Sequence, residues 1–203
     1  MRIIGGLARG TNLYTLDGLD TRPTLDRVRE SLFNIIQNDI KDSVLLDLFA
    51  GSGAVGLEAI SRGAKKAVLC DKNKKAIEVI NKNVKKLRAE EKVQILCIDY
   101  ENYLKTSQEK FDFIYLDPPY LISQSEYNKL WDEHQENQLY EFLDNLNKKG
   151  IRFGITNLVY HKGKKNEIFE KWSKKYHVHE ISSNYISFNN NTIKINSKEV
   201  FVT

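Results

Sequence analysis

Short apolar runs and helical periods alternate along most of this sequence. The run from Val44 to Leu48 is short and almost continuously apolar, as is typical of a strand buried on both faces. Comparable runs occur at residues 67–70, 93–98 and 112–117. Between the first two of these, apolar residues recur at helical spacing and predict a helix over residues 73–88, with one face formed by Ile77, Ile80, Val84 and Leu87. Strands separated by helices form parallel sheets with right-handed crossovers, so the pattern predicts an open α/β fold.

Further elements are predicted on both sides of this central part. Residues 2–13 have the pattern of a small β-hairpin, and residues 25–38 that of an amphipathic helix with Thr24 as its N-cap after Pro23. The elements predicted beyond residue 120 are a helix centred on residues 139–146 that stops at Gly150, a strand at 152–156, a helix near 166–175, and strands at 192–195 and 199–202. No linker or internal repeat divides the chain, so we expect a single domain over residues 1–203.

The composition of the 203 residues narrows the class of protein. With 41% apolar and 29% charged residues, the chain is neither disordered nor fibrous. No apolar run approaches the ~20 residues of a membrane span, and the first residues do not resemble a signal peptide, so we expect a cytoplasmic protein without membrane partners. The net charge of +4, part of it concentrated at residues 161–166, permits a nucleic-acid partner without requiring one. The histidines and cysteines lack the spacing of a metal site, so no metal is predicted.

A glycine-rich turn follows the first predicted strand of the sheet. Gly51 and Gly53 allow the backbone to approach a ligand closely and to adopt positive φ angles. Asp71 ends the next predicted strand, where a carboxylate can accept hydrogen bonds from ribose hydroxyls. This combination predicts a nucleotide-like cofactor, and by itself it also fits a nicotinamide cofactor.

Asp47, at the end of the first strand, distinguishes between these cofactors. A carboxylate there suits the positive ammonium of S-adenosylmethionine and would repel the pyrophosphate of a nicotinamide dinucleotide. Asp99, after the third strand, is a candidate contact on the adenine side, with a local turn-forming role as the alternative. Phe49 is a candidate lining residue of the same pocket, although an aromatic residue at such a position more often belongs to the core.

The sequence Asp117-Pro118-Pro119-Tyr120 ends the fourth predicted strand, at the edge where open α/β sheets bind their ligands. An exocyclic amino group of a nucleic-acid base is a poor nucleophile, because its lone pair is delocalised into the ring. The Asp117 carboxylate and a proline carbonyl can accept hydrogen bonds from both of its N–H groups and direct the lone pair towards a bound methyl sulfonium. Tyr120 offers an aromatic face on which the base can stack. The motif therefore predicts methyl transfer to a base, driven by positioning and fixed dipoles.

Residues 1–120 closely resemble the bacterial small-subunit ribosomal RNA guanine-N2 methyltransferases (RsmD type). The shared motifs are Arg2-Ile-Ile-Gly-Gly with Arg9-Gly10, Thr21-Arg22-Pro23-Thr24, the stretches 27–34 and 47–58, and Ser61-Arg62-Gly63-Ala64. The resemblance implies a Rossmann-like class I S-adenosylmethionine-dependent methyltransferase with a seven-stranded, mostly parallel sheet. It also implies that Arg22, Pro23 and Thr24 close over the cofactor. The N-terminal hairpin would help to hold the RNA, with Arg2 and Arg9 as candidate phosphate contacts.

Residues 111–203 resemble the C-terminal part of the Dam-like DNA adenine-N6 methyltransferases. The motifs are Asp117-Pro-Pro-Tyr-Leu-Ile-Ser, Tyr127-Asn-Lys-Leu-Trp, the stretch 140–151, His161-Lys-Gly-Lys, Trp172-Ser-Lys-Lys-Tyr176 and Lys198-Glu-Val200. The two resemblances overlap at residues 117–120, so the chain combines features of both families as a hybrid. Only 70 residues separate Asp47 from Asp117. This interval leaves no room for the target-recognition insertion of the Dam-like family.

The expected function is methylation of guanine N2 in small-subunit (16S) ribosomal RNA, with S-adenosylmethionine as cofactor. The expected partner of this monomer is the RNA or the small ribosomal subunit. Within the single domain, residues 1–20 form the hairpin, residues 21–120 the cofactor-binding half and residues 121–203 the substrate-side half. Two alternatives are a DNA adenine-N6 methyltransferase and a nucleic-acid-binding hybrid without catalysis.

Overall fold

The computed structural model describes residues 1–16, 26–106, 110–123, 131–181 and 197–203. The strands within these ranges are β1 (Val44–Asp47), β2 (Lys66–Asp71), β3 (Val93–Cys97), β4 (Phe113–Leu116), β5 (Arg152–His161), β6 (Lys164–Lys165), β7 (Val178–Ile181) and β8 (Ser197–Val202). The helices are α1 (Asp26–Ile35), α2 (Gln37–Ile40), α3 (Ala54–Ser61), α4 (Lys74–Leu87), α5 (Tyr100–Thr106), α6 (Glu133–Lys148) and α7 (Glu167–Ser173). In this part of the chain, no helix combines the length and apolar character needed to cross a membrane.

The described strands form one mixed sheet in the order β3-β2-β1-β4-β5-β8-β7, with β6 paired to β5 outside this path. The first five strands of the path are mutually parallel, whereas β8 runs antiparallel to both β5 and β7. The path thus contains the seven strands expected for the class, and the two-residue β6 is an additional one. The predicted α/β fold with a mostly parallel sheet is confirmed.

The structure differs from the predicted elements at several places. The predicted helix over residues 25–38 is divided into α1 and α2 at Ile36, which has a φ of −95° and a ψ of 11°. Strand β5 continues to His161, five residues beyond its predicted end, because β8 and β6 pair with its second half. Neither α5 nor β7 is among the predicted elements. The predicted strand at 192–195 and the N-cap Thr24 lie outside the described residues.

Side chains of the sheet alternate between two apolar layers. In β4, Phe113 and Tyr115 face one layer, which is formed with α1, α3, α4 and the N-terminal residues. Ile114 and Leu116 face the other layer, which is formed with α5, α6 and α7. Because both faces are covered, the ligand-binding positions of this sheet lie at the carboxyl ends of its parallel strands.

The N-terminal segment, residues 1–16, docks on the helices beside the sheet. Its hairpin is minimal, with a single antiparallel bridge between Arg2 and Asn12. The buried carboxylate of Glu58 in α3 accepts hydrogen bonds from the backbone N–H groups of Ile4 and Gly5, each at 2.7 Å. A buried carboxylate with charge-assisted hydrogen bonds of this kind fixes the segment firmly.

Gly6 and Gly10 provide a matched test of this docking. Both have positive φ angles, 74° and 86°, so alanine at either position carries a backbone cost of about 1–2 kcal/mol. A Cβ at Gly6 would lie 1.9 Å from the carbonyl oxygen of Ser61, whereas a Cβ at Gly10 would meet nothing within 4 Å. We therefore expect Gly6→Ala to lower the free energy of unfolding by about 3 kcal/mol or more, because a clash adds to the backbone cost. Gly10→Ala should lower it by the backbone cost alone.

Urea denaturation of both variants measures this difference. Equal midpoints for Gly6→Ala and Gly10→Ala would contradict the close contact between the N-terminal segment and α3.

Candidate active site

Three carboxylates lie at the carboxyl edge of three neighbouring strands. Asp47 is the last residue of β1, Asp71 is the last residue of β2, and Asp117 directly follows β4. Strand β1 pairs with β2 on one side and with β4 on the other. The sheet therefore brings together both motifs that the sequence singles out, although 70 residues separate them in the chain.

Asp47 is only 1% exposed, yet one of its carboxylate oxygens, Oδ1, has no hydrogen-bond partner in the described part of the chain. The backbone N–H groups of Phe49 and Gly56 donate to the same carboxylate group. Burial, followed by the nearby negative charge of Asp117, raises the pKa of Asp47 to about 8. A buried carboxylate with an unpartnered oxygen costs folding free energy unless a ligand compensates it. Its chemistry fits a ligand with a positive amino group.

The glycine-rich turn between β1 and α3 leaves space beside this carboxylate. Gly51 and Gly53 have φ angles of 55° and 77°, in the left-handed region that favours glycine. A Cβ at Gly51 would meet nothing within 4 Å, so the space next to its backbone is open. Such a turn lets a ligand contact the main chain directly.

Asp71 holds this turn in place. Its Oδ2 accepts a hydrogen bond of 2.9 Å from the Gly51 backbone N–H, and its Oδ1 accepts one of 2.8 Å from the Asn73 N–H. Burial raises the pKa of Asp71, against the lowering effect of these two hydrogen bonds. Each carboxylate oxygen has a second lone pair, so these bonds leave acceptor capacity for a ribose hydroxyl.

The other predicted cofactor contacts have local partners or lie outside the described residues. Asp99 precedes α5 and accepts a hydrogen bond of 3.0 Å from the Glu101 N–H, as a local turn former does. Phe49 is half-buried, and its ring centroid lies 5.1 Å from that of Tyr100 and 6.1 Å from that of Trp131. Arg22, Pro23 and Thr24 lie outside the described residues.

The side chains of the second motif form a hydrogen-bonded cluster. The Tyr120 hydroxyl lies 2.8 Å from Asp117 Oδ1 and 3.0 Å from Glu199 Oε1. A tyrosine hydroxyl carries a single proton, so it donates to one of these carboxylates at a time. Thr156 Oγ1 donates a further hydrogen bond of 2.8 Å to Asp117 Oδ1. Pro118 and Pro119, the two middle residues of the motif, are buried.

Tyrosine hydroxyls in this cluster remain donors at neutral pH. Desolvation, followed by the negative charges of Asp117 and Glu199, raises the pKa of Tyr120 well above its usual value. Desolvation and Asp117 do the same for Tyr115, whose hydroxyl lies 3.3 Å from Thr156 Oγ1. The Asp117 carboxylate is thus oriented from one side by neutral hydroxyl donors.

Sequence reasoning missed Thr156 and Glu199, which both contribute to this cluster. Thr156 directly follows Ile155, the residue of β5 that pairs with Leu116 at the end of β4. Glu199 is the only acidic residue of β8. A single carboxylate beside the apolar run at residues 200–202 is the signal that points to Glu199. Its contact with Tyr120 could not be predicted, because it depends on the pairing of β8 with β5.

The two predicted phosphate contacts lie in the N-terminal segment. Arg9 is exposed, and Arg2 is exposed with its Nε 3.7 Å from Asp26 Oδ2. A third arginine, Arg29, is fully buried and donates to the Arg2 carbonyl oxygen and to Asp26. Of these three arginines, Arg2 and Arg9 are therefore exposed and Arg29 has a structural role.

Comparison with solved structures defines the class of protein. The structure is similar to that of the "Putative methyltransferase yhhF" of Escherichia coli, with a TM-score of 0.65, 27% identity, and coverage of 100% of this chain and 97% of that one. The SAM-dependent methyltransferase from Agrobacterium tumefaciens shares the fold at 17% identity and a TM-score of 0.61, over 90% of this chain and 62% of that one. The fold is that of the class I S-adenosylmethionine-dependent methyltransferases. The unpartnered oxygen of Asp47 and the open turn at Gly51 fit the cofactor of this class.

Within this class, the chain belongs to the family described as Conserved hypothetical protein 95, whose sequence model matches residues 1–173. The Ribosomal RNA small subunit methyltransferase D of Haemophilus influenzae is 40% identical over 129 residues, or 62% of this chain and 67% of that protein. Its namesake from Escherichia coli K12 is 39% identical over 120 residues, or 59% of this chain and 60% of that protein. The resemblance to ribosomal RNA methyltransferases is therefore confirmed, and the family match extends beyond residue 120.

A partial similarity to DNA methyltransferases accompanies this match. The Type II methyltransferase M.FokI of Planomicrobium okeanokoites is 38% identical over 120 residues, which cover 56% of this chain and 18% of that protein. The chain thus spans 67% and 60% of the length of these two ribosomal RNA methyltransferase relatives and 18% of the length of M.FokI.

Proposed function

We propose that this chain transfers a methyl group from S-adenosylmethionine to N2 of a guanine in small-subunit (16S) ribosomal RNA. The observation that carries the proposal is the proximity of two different carboxylates at one sheet edge. Asp47 is buried and unpartnered, as suits a cationic cofactor, and Asp117 is close enough to raise its pKa. Relatives named for small-subunit ribosomal RNA methylation support the choice of substrate.

The proposed role of Asp117 is to accept a hydrogen bond from the target amino group. A proline carbonyl of the motif, from Pro118 or Pro119, accepts a hydrogen bond from the other N–H. Two acceptors draw the nitrogen towards tetrahedral geometry and aim its lone pair at the methyl group, which the cofactor supplies when bound. Because Thr156 and Tyr120 already orient Asp117, this acceptor needs little rearrangement when the substrate arrives.

Tyr120 provides the stacking surface in this proposal. Its hydroxyl contacts Asp117 and Glu199, which restricts the orientation of the ring. Stacking of a base on an aromatic side chain contributes about 1–3 kcal/mol. A base in a helix must be extruded to reach such a surface, so the target nucleotide is one that unstacks readily or is already unpaired.

On the cofactor side, Asp47 holds the amino group, and Gly51 and Gly53 provide the close backbone approach. Asp71 fixes the turn at Gly51 and accepts a hydrogen bond from a ribose hydroxyl of the cofactor. The remaining proposed contacts are Phe49, Asp99, Arg22, Pro23 and Thr24, the last three by resemblance alone. Each of these groups binds or positions the cofactor, and none donates or removes a proton in the transfer.

The proposed partner is the ribosomal RNA or the small ribosomal subunit, bound by the chain as a monomer in the cytoplasm. We place the RNA-binding surface partly on the N-terminal segment, through Arg2 and Arg9. Docking of this segment on Glu58 supports the assignment, because a fixed segment can position phosphates without paying an ordering cost. All three parts of the chain act as one domain in this proposal.

Nucleoside mass spectrometry tests the proposal directly. Purified protein and S-adenosylmethionine are incubated with small ribosomal subunits, with their naked RNA and with duplex DNA. We expect N2-methylguanosine in one or both RNA-containing samples. N6-methyladenine in the DNA instead would overturn the substrate assignment, and absence of product from all three samples despite cofactor binding would overturn the activity.

A further inference from the structure

A basic β-hairpin extends from the same sheet edge as the candidate active site. We define it as residues 160–165, formed by the end of β5, a two-residue turn and β6. Strand β5 pairs with β4 as far as Ile155, opposite Leu116, and then continues to His161. Asp117 is the residue that follows Leu116, so the second half of β5 projects beyond the edge at which Asp117 lies.

The basic hairpin is held on both sides at its base. On one side β6 pairs with β5, through Tyr160 with Lys165 and His161 with Lys164. On the other side β8 pairs with the same residues of β5, and His161 Nδ1 lies 2.7 Å from Ser197 Oγ. The turn residues Lys162 and Gly163 have φ angles of 46° and 84°, as a tight two-residue hairpin requires. Strand pairing on both sides therefore holds the lysines at the tip of the basic hairpin in place.

The lysines of the basic hairpin differ in whether they form ion pairs. Lys165 Nζ forms an ion pair of 2.8 Å with Glu170, so its charge is locally balanced. Lys162 and Lys164 are exposed, and neither forms an ion pair with any group in the described ranges. Two positive charges that no ion pair neutralises therefore favour an anionic partner for the basic hairpin.

The length of β5 beyond Thr156 determines how far from Asp117 the basic hairpin can contact an anionic partner. From Thr156, which hydrogen-bonds Asp117, to His161 the strand advances by about 16 Å at ~3.3 Å per residue. Stacked nucleotides rise ~3.4 Å each along one strand, so this distance corresponds to about five nucleotides. The basic hairpin is thus at the right distance from Asp117 to contact the RNA backbone that flanks a base held there.

We propose that Lys162 and Lys164 of the basic hairpin bind phosphates of the substrate RNA about five nucleotides from the target nucleotide. The inference rests on the proposed function in so far as the substrate is RNA. Contacts of this kind position a strand over the site and contribute affinity without reading its sequence.

The test compares two double variants that each change the net charge from +4 to +2. One is Lys162→Ala with Lys164→Ala. The control is Lys148→Ala with Lys149→Ala, because these exposed lysines end α6 and precede β5, at the opposite edge of the sheet. Binding of naked small-subunit ribosomal RNA is measured between about 50 and 200 mM salt.

The expected result is a smaller salt dependence for the hairpin variant alone. Loss of two phosphate contacts should reduce the slope of log affinity against log salt by about 1.4 on single-stranded RNA and about 1.8 on a duplex. The control should retain the wild-type slope. With saturating RNA, kcat of the hairpin variant should stay at the wild-type value while KM rises, and Lys162→Arg with Lys164→Arg should restore both slope and KM.

Equal reductions in both double variants, or no reduction in either, would overturn the hairpin assignment. A hairpin variant with a reduced slope in a protein that yields no methylated nucleoside would support the RNA contact and contradict the proposed function. An unchanged slope in a protein that does methylate ribosomal RNA would overturn only the contact.

Discussion

Asp117→Ala is expected to reduce methyl transfer by at least about 100-fold and to leave cofactor binding intact. The substitution removes the proposed acceptor of a hydrogen bond from the target amino group, and a group aimed at the reacting atoms in a preorganised site typically contributes that much. Cofactor affinity should stay the same or increase slightly. The reason is that Asp117 is the second-largest cause, after burial, of the raised pKa of Asp47.

Tyr120→Phe is the matched companion to this variant. It keeps the aromatic ring and removes only the hydroxyl that contacts Asp117 and Glu199. We expect a loss of about 10- to 100-fold, because a hydrogen bond to a charged carboxylate contributes about 1.5–3 kcal/mol. Methylated nucleoside is measured by mass spectrometry, and cofactor affinity by calorimetry. A wild-type rate for Asp117→Ala would remove Asp117 from the reaction, and loss of cofactor binding would assign it to the cofactor site.

Asp47→Asn should make the protein more stable and unable to bind its cofactor well. The pKa of Asp47 is about 8 in the folded protein and about 3.9 in an unfolded chain. Between these pH values the folded state binds more protons than the unfolded state, so Asp47 makes the stability of the wild type fall as pH rises from 4 to 8. Asparagine does not ionise, so the variant does not lose stability in this way as pH rises. Its advantage should grow through the same pH range and reach several kcal/mol above pH 8.

Cofactor binding should respond in the opposite sense. In the proposed cofactor site, the ammonium of S-adenosylmethionine pairs with the ionised form of Asp47, which is the minor form at pH 7. Binding at pH 7 should therefore release close to one proton from the wild type and none from Asp47→Asn. Affinity should fall about 10- to 100-fold, the value of a hydrogen bond to a charged group.

Urea denaturation at pH 5 and pH 8.5 measures the stability effect, and calorimetry in buffers of different ionisation enthalpy measures the released proton. A stability difference that does not change with pH would show that Asp47 is ionised in the folded protein at both values. Equal proton release by wild type and variant would place the titrating group elsewhere.

Local patterns account for the central part of the fold. The spacing of Ile80 and Val84 within its apolar face is sufficient to predict α4, because one face of a helix is defined by neighbouring turns. The short apolar run at residues 44–48 likewise predicts β1. Strand β7 has no comparable signal, since Val178 and Ile181 are its only apolar residues and Val178 is 44% exposed. It forms because β8 provides a partner.

The candidate site is also predictable only in part, because some of its contacts depend on strand pairing that local sequence patterns do not show. Residue types at strand ends identify Asp47, Asp71 and Asp117, since the carboxyl edge of a parallel sheet is where such groups converge. Their hydrogen bonds are not visible in the sequence. The role of Asp71 in fixing the turn at Gly51, and the contact of Glu199 with Tyr120, depend on chain segments that meet only in the folded protein.

The place of β8 has a consequence for the order in which the protein assembles. This strand lies between β5 and β7, although it follows both in the chain. Until it inserts, β7 has no neighbour among the described strands, and Glu199 cannot reach Tyr120, which lies 79 residues earlier. Contacts between such distant segments form slowly, because the loop must close before they contribute. The Tyr120 side chain is therefore expected to acquire its final orientation late in folding, after the parallel half of the sheet has formed around Asp47.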